Sequence, residues 1–389
     1  MNMNKEKKVV YPVTTRDFRH IAEKKLPRFL FDYIDGGSSA EITLNANVDD
    51  FNHYSLKQRV MCNVENRDTS TTIMGQDIAM PVIGGPIGFA GMMRRRGEVQ
   101  GARAARKANI PFTLSTVGIC PMEELVEAEV PFWFQLYMLR DREVVKTILQ
   151  RAESSGVTTL VFTVDLPMAG PRMRDYTNGM LGTDMASGLA RAKTILGHPG
   201  WVWDVGIKGK PLGFGNLKGI VERPDDMELV KEFIESQFDP TVTWDDIAWI
   251  REIWKGNLIV KGVMEVEDAQ KVVEVGAQGI VVSNHGGRQL DGVASSISKL
   301  GPIVEAVGGQ TEIIVDGGIR NGTDVVKAIA LGANAVMIGR PWIWSVAARG
   351  EAGMSTLLKM FQEEISVAMA LMGVNSIDEI TPKLIESKL

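Results

Sequence analysis

Residues 279–292 read Gly-Ile-Val-Val-Ser-Asn-His-Gly-Gly-Arg-Gln-Leu-Asp-Gly. The apolar run Gly279 to Val282 has strand length and stops abruptly at Ser283, Asn284 and His285. Gly286 and Gly287 let the chain turn with little steric restriction. His285 and Arg288 are therefore expected at the end of a buried strand, on a loop that can approach a ligand closely. An imidazole changes charge near neutral pH, and a guanidinium grips a carboxylate at two points. A lone loop histidine is more often a hydrogen-bonded structural residue. Here the chain holds only four His, and this one is flanked by turn glycines three residues from an Arg.

The same pattern recurs along the chain. Apolar runs of strand length occupy 82–86, 111–114, 132–136, 160–164, 258–260, 279–282, 312–315 and 335–338. Amphipathic stretches of helical period lie between most of them, at 98–108, 122–128, 142–155, 266–275, 298–307 and 322–331. Strand and helix in alternation mean a parallel sheet, and eight units predict closure as a (β/α)8 TIM barrel. An open doubly wound sheet is disfavoured, because Gly84-Gly85-Pro86-Ile87-Gly88 is not a G-x-G-x-x-G turn. The expected organisation is one domain over 1–389, with an amino-terminal helical segment at 14–79, the barrel at 80–373 and an insertion at about 171–240.

Every run ends in something polar or in glycine. The ends are Pro86-Ile87-Gly88, Ser115-Thr116, Gln135 with Tyr137, Thr163 with Asp165, Lys261, Ser283 with His285, Asp316-Gly317-Gly318, and Gly339-Arg340. Barrel enzymes build their sites at the carboxyl ends of the strands. The last two ends, Gly317-Gly318-Ile319-Arg320 and Gly339-Arg340, offer backbone N–H groups and two guanidiniums where barrels commonly hold a phosphate. Glycine-rich loops with solvated arginines are the plainer alternative.

Composition sets the bounds. The chain has 389 residues, 44% hydrophobic and 23% charged, an ordinary globular balance. A net charge of −5 argues against a nucleic-acid partner. Two Cys, Cys62 and Cys120, form no disulfide framework and no metal-ligand spacing. The first residues carry no apolar signal core, so export is not expected, and no apolar run reaches membrane-spanning length. Residues 14–34 predict two short helices broken at Pro27, the first capped by Thr14 or Thr15. Tyr33 sits just before the Asp35-Gly36-Gly37 break, where a tyrosine is most often core filler. The helical stretch 351–373 carries a Met stripe suited to core or subunit contact.

One interval breaks the rhythm, between Asp165 and Leu258. From Pro171 to Pro224 it holds eight Lys/Arg against four Asp/Glu, a local +4 that includes Trp201 and Trp203. Basic charge with aromatics suits an anionic membrane surface. A lid or subunit contact suits the same composition.

The run Ser283-Asn284-His285-Gly286-Gly287-Arg288-Gln289-Leu290-Asp291 closely resembles the active-site motif of the FMN-dependent α-hydroxy-acid dehydrogenase and oxidase family. The likeness extends from Leu26-Pro27 to about Thr381. Phe29-Leu30-Phe31-Asp32-Tyr33, Arg95-Arg96-Gly97-Glu98-Val99-Gln100, Thr113-Leu114-Ser115-Thr116-Val117 and Trp201-Val202-Trp203-Asp204-Val205-Gly206 carry it toward the bacterial respiratory, L-lactate-oxidising branch. The resemblance implies FMN as cofactor, His285 as base and Asp165 as its orienting carboxylate. It implies Arg172 and Arg288 on the substrate carboxylate, with Tyr33 and Tyr137 as contacting phenols. It implies flavin contacts from Pro86, Ile87, Gly88, Ser115, Gln135, Thr163, Lys261 and Ser283. Asp316, Gly317, Gly318, Arg320, Gly339 and Arg340 complete that set. Val117, where plant glycolate oxidases carry Trp, and Gly88, where many oxidases carry Ala, are departures that argue against glycolate oxidation. The expected activity is oxidation of a small 2-hydroxy acid, L-lactate, to pyruvate. Electrons would pass to a quinone or another respiratory acceptor. The resemblance also implies a homotetramer, peripheral to the cytoplasmic face of the inner membrane. A peroxide-forming oxidase, a mandelate dehydrogenase and a non-redox barrel are the alternatives.

Overall fold

The computed structural model describes residues 11–180, 184–220 and 239–388. The chain opens with three helices, α1 (Thr15–Lys25), α2 (Arg28–Asp35) and α3 (Ile42–Asp49). Thr14 caps α1 as its sequence predicts: its hydroxyl accepts from Asp17 N–H at 3.2 Å, and the Asp17 carboxylate accepts from Thr14 N–H at 2.9 Å. The stretch 14–79, expected to be helical, is not helical throughout. It continues as strand β1 (Tyr54–Leu56) and a hairpin of β2 (Thr71–Ile73) and β3 (Gln76–Ile78). The hairpin turns at Met74 and Gly75, both with positive φ (48° and 74°), as a tight two-residue turn demands. Its strands are too short to leave a periodic signal.

The barrel strands are β4 (Val82–Gly84), β5 (Thr113–Ser115), β6 (Trp133–Tyr137), β7 (Thr159–Thr163), β8 (Asn257–Val263), β9 (Gly279–Val282), β10 (Glu312–Asp316) and β11 (Ala335–Ile338). All eight fall on the apolar runs read from sequence. They pair in parallel in the order β4-β11-β10-β9-β8-β7-β6-β5, and a parallel bridge between Gly84 and Phe112 brings β4 against the start of β5. The strands read as unbroken apolar runs because both faces are buried. One face points inward, with Ile83, Trp133, Val161, Ile259, Val281 and Ile314 packed together. The alternate residues, such as Leu160, Phe162, Leu258, Val260, Ile280 and Val315, pack outward against the helices.

The hairpin fills the amino-terminal end of the barrel. Ile73, Met74 and Ile78 join the inner cluster. The Glu312 carboxylate accepts from Met74 N–H at 2.8 Å, and the Asn257 side chain donates to Met74 O at 3.0 Å.

The connecting helices are α4 (Gly97–Lys107), α5 (Met122–Glu127), α6 (Arg142–Ser154), α7 (Met173–Thr177), α8 (Met185–Leu196), α9 (Trp244–Ile253), α10 (Val266–Glu274), α11 (Ser296–Val307), α12 (Gly322–Ala330) and α13 (Arg340–Met372). Helix α13 kinks at Gly350, whose φ is 64°. Met354, Met369 and Met372 of its second half are buried, so these methionines are core. Helices α7 and α8 fall in the insertion expected at 171–240. Residues 181–183 and 221–238 of that expectation lie outside the described residues. Finally, β12 (Ile385–Ser387) pairs antiparallel with β1, tying the end of the chain to its amino-terminal segment.

Candidate active site at the barrel mouth

The loop after β9 is held in an unusual shape. His285, Gly286 and Gly287 are all left-handed, with φ of 58°, 64° and 72°. For a histidine this costs roughly 1–3 kcal/mol and persists only where the surroundings enforce it. They do. His285 N–H donates to the Ser283 hydroxyl at 3.1 Å, and Gly287 N–H donates to the Asn284 side chain at 3.1 Å. Gly287 O accepts from Ser38 N–H at 2.8 Å, and a Cβ on Gly287 would lie 2.5 Å from Leu44 N. Asn284 and Asn47 of α3 exchange side-chain amide bonds at 2.8 and 2.9 Å, both buried.

This loop sets the imidazole. His285 Nδ1 lies 2.8 Å from Asp165 Oδ1, and His285 lines a cavity of about 690 Å³ at the carboxyl end of the strands. Burial works against the Asp165 charge, yet the adjoining His285 and the nearby Lys261 hold its pKa below the ordinary carboxylate value. With Asp165 ionised, Nδ1 donates to it, and Nε2 is left as the proton acceptor. Lys261 is itself buried. Its Nζ lies 2.8 Å from Asp316 Oδ2 and donates to the Ser283 hydroxyl at 2.8 Å. Burial opposes its charge, but Asp316 and Asp165 outweigh burial and raise its pKa.

Two further guanidiniums approach the face of Tyr33. Arg288 stands 4.9 Å and Arg172 5.5 Å from the ring centroid. Arg288 Nη1 donates to Tyr33 O at 2.6 Å and Gly36 O at 2.9 Å. Burial lowers the Arg288 pKa, and the Arg172 charge lowers it further. The Tyr137 phenol is pushed well up by burial, then by Asp165.

The loops after β10 and β11 form the other end of the cavity. Gly317 and Gly318 are left-handed at φ 87° and 86°, and a Cβ on Gly318 would fall 1.8 Å from Asn47 O, so only glycine fits. Arg340 donates to three backbone carbonyls: Asp35 at 3.1 Å, Gly36 at 2.8 Å and Gly286 at 2.9 Å. Burial brings Arg340 down to about 9 and Arg320 to about 10. Among the described residues, neither guanidinium makes an ion pair.

The cavity brings together most of the residues singled out in the sequence: Tyr33, Pro86, Ile87, Gly88, Tyr137, Thr163, Arg172, Lys261, His285 and Arg288 line it, with Asp316, Gly317, Gly318, Arg320, Gly339 and Arg340. Ser115, Gln135, Asp165 and Ser283 do not line it. They stand one or two hydrogen bonds behind the wall, as in the buried series Ser115 Oγ to Gln135 Oε1 (2.9 Å) and Gln135 Nε2 to Thr163 Oγ1 (3.1 Å). The sequence reading missed Asp175, Phe89 and Phe214, which also line it. Asp175 could have been noticed, one helical turn beyond Arg172. Phe214 returns from the insertion to meet Phe89 edge to face at 4.7 Å, and Phe89 meets Tyr33 in the same way at 5.2 Å.

These features define a class of protein: a parallel barrel whose mouth gathers a His–Asp pair, a buried lysine and the guanidiniums of Arg172, Arg288, Arg320 and Arg340 around one cavity. Two half-buried guanidiniums that make no ion pair among the described residues, a Gly318 closed to any side chain and a buried ammonium fit a flavin mononucleotide. A family model described as FMN-dependent dehydrogenase matches residues 22–387. The chain is 48% identical to an L-lactate dehydrogenase of Alcaligenes faecalis, over 96% of this chain and 98% of that one. It is 49% identical to an L-lactate dehydrogenase of Chromohalobacter salexigens, over 94% and 93%. Among solved structures it resembles the monotopic membrane protein (S)-mandelate dehydrogenase, at 32% identity and TM-score 0.91, covering 97% of this chain and 99% of that one. A mandelate oxidase solved with (S)-4-hydroxymandelic acid is 35% identical with TM-score 0.82, covering 97% and 99%. The chain belongs to the FMN-dependent dehydrogenase family.

Proposed function

We propose that this chain oxidises L-lactate to pyruvate and delivers the electrons to a membrane quinone or another respiratory acceptor. The observation that carries the reading is His285, backed by Asp165 at 2.8 Å and lining the same cavity as the guanidiniums of Arg172 and Arg288. FMN, when bound, supplies the two-electron acceptor. Arg172 and Arg288 hold the substrate carboxylate by charge-assisted bonds, and Tyr33 and Tyr137 contact the substrate through their phenols. His285 takes the proton at Nε2; Asp165 keeps the ring in one tautomer and stabilises it once cationic. Lys261, kept cationic by Asp316 and Asp165, would stabilise negative charge on the reduced flavin when FMN is bound. Pro86, Ile87, Gly88, Ser115, Gln135, Thr163, Ser283 and Asp316 shape the flavin's surroundings. Gly317, Gly318, Arg320, Gly339 and Arg340 hold its phosphate. Residues 1–389 act as one catalytic domain in this reading.

A small substrate side chain is supported by crowding at the mouth. A Cβ on Gly88 would lie 2.7 Å from Val117 Cγ2 and 3.3 Å from the Tyr33 hydroxyl. The identity to proteins named L-lactate dehydrogenase, near 49%, exceeds that to the mandelate enzymes, 32–35%.

The insertion supports docking at an anionic membrane surface, peripherally on the cytoplasmic face of the inner membrane. Helix α8 has no buried residue and exposes Met185, Leu189 and Leu196. Beyond it Trp203 and Ile207 are exposed, and Lys208 Nζ lies 4.7 Å from the Trp203 ring centroid. Apolar side chains among basic ones suit a charged lipid interface. Among the described residues, no helix is long and apolar enough to cross a membrane. A homotetramer completes the proposal.

An anaerobic titration of the holoenzyme with L-lactate tests the chemistry. Bleaching of the visible flavin bands at substoichiometric lactate is expected, and unchanged bands would defeat the assignment. A stronger steady-state preference for (S)-mandelate, or stoichiometric peroxide in air, would move the reading to the corresponding relative. For the membrane, a variant with Met185, Leu189 and Leu196 changed to Ser is expected to stop co-sedimenting with anionic vesicles.

A further inference from the structure

Arg172 has a neighbour that neither the catalytic scheme nor the flavin site uses. Asp175 lies one turn into α7, its N–H donating to Arg172 O at 3.0 Å. Its residue surface is only 2% exposed, and it borders the cavity. Its Oδ2 stands 3.5 Å from Arg172 Nε, within ion-pair range, while Nε is buried and makes no hydrogen bond. Among the described residues, Asp175 is the one carboxylate within ion-pair distance of Arg172. Arg288 is fixed differently, by two backbone carbonyls. Burial raises the Asp175 pKa, and the guanidiniums of Arg172 and Arg288 oppose that rise.

A guanidinium offers two flat edges to an anion, one through Nε and one through the terminal Nη pair. We infer that Asp175 is a positioning residue: it tethers Arg172 by the Nε edge and so turns the Nη pair toward the incoming substrate carboxylate. This rests on the reading of Arg172 as part of the carboxylate grip. The opposite effect is also physical, since a fixed negative charge repels an acid. If repulsion dominated, removing Asp175 would tighten substrate binding. The buried setting favours the tether, because an untethered guanidinium there loses its orientation as well as its counter-charge.

The test is a double-mutant cycle on the holoenzyme with Asp175→Asn, Arg172→Met and the pair together. It reads kcat and KM for L-lactate, with FMN content measured on each variant. Asp175→Asn is expected to raise KM about tenfold while kcat stays within about threefold, the split of a lost binding interaction. In the Arg172→Met background, the same substitution is expected to change KM less than about twofold, since the effect runs through that side chain. Asp175→Glu, which keeps the charge, is expected to fall between wild type and Asp175→Asn. A KM that is unchanged or lowered in Asp175→Asn would overturn the inference. So would an equal effect in both backgrounds, or a Glu variant as impaired as the Asn one. Arg172→Met with wild-type KM would instead overturn the grip reading beneath it.

Discussion

The mouth of the barrel carries two pairs of arginines, and they are built differently. Arg340 is held by three carbonyl oxygens, and with Arg320 it is buried deeply enough to lower its pKa. Arg172 is held loosely, with a buried Nε that makes no hydrogen bond and a carboxylate 3.5 Å away. Arg340 is thus fixed before any ligand arrives, as suits a group that stays. Of the second pair, Arg288 is fixed by two carbonyls, while Arg172 can still close onto an anion about the Asp175 carboxylate, as suits a group that comes and goes. In the proposed reading the difference separates retention of cofactor from turnover of substrate, and each half is expected to be perturbable alone.

The largest effect is expected on the turnover side. His285→Gln should retain FMN by absorbance yet lose turnover by at least about 10³-fold, since it removes the base and leaves the anion grip intact. Loss of FMN in that variant would show that the two halves are not separable. Next, Arg340→Met should weaken FMN binding by roughly a hundredfold, read by flavin fluorescence on dilution. KM for L-lactate, measured at saturating FMN, should stay within about threefold of wild type, because the missing interaction is a charge-assisted one to phosphate. Lys261→Met lies on the boundary. It should slow flavin reduction by about tenfold or more in stopped flow, and weaken FMN binding less than Arg340→Met does.

The smallest effect concerns pH. The folded pKa of Asp165 lies below its unfolded value, so its contribution to stability is present above the ordinary carboxylate pKa. That contribution is lost as pH falls through the lower folded value. Asp165→Asn should therefore lower thermal stability most at neutral pH and flatten the acid limb, the gap to wild type closing as pH falls below about 4. A variant with an unchanged acid limb would remove Asp165 from that role.

Much of this was legible in the sequence because barrel strands buried on both faces write long apolar runs, and because the residues after each run converge on one mouth. What was not legible depends on contacts remote in sequence. Asn47 supports the His285 loop across more than two hundred residues and backs onto Gly318, and no local pattern announces that. The hairpin at 71–78 is two three-residue strands, too short for a period to show. Helix α9 lies within the long interval after β7, where the expected rhythm had already been lost. Four of the site residues were correctly associated with the mouth yet stand behind its wall, because sequence order gives the strand end but not the depth of a side chain.

The hairpin that fills the amino-terminal end leaves a further mark on how such a barrel operates. With Ile73, Met74 and Ile78 packed beneath the side chains that already fill the barrel, the cavity at the mouth has no passage through the barrel behind it. Whatever enters must leave by the rim it came through, so arrivals and departures take turns.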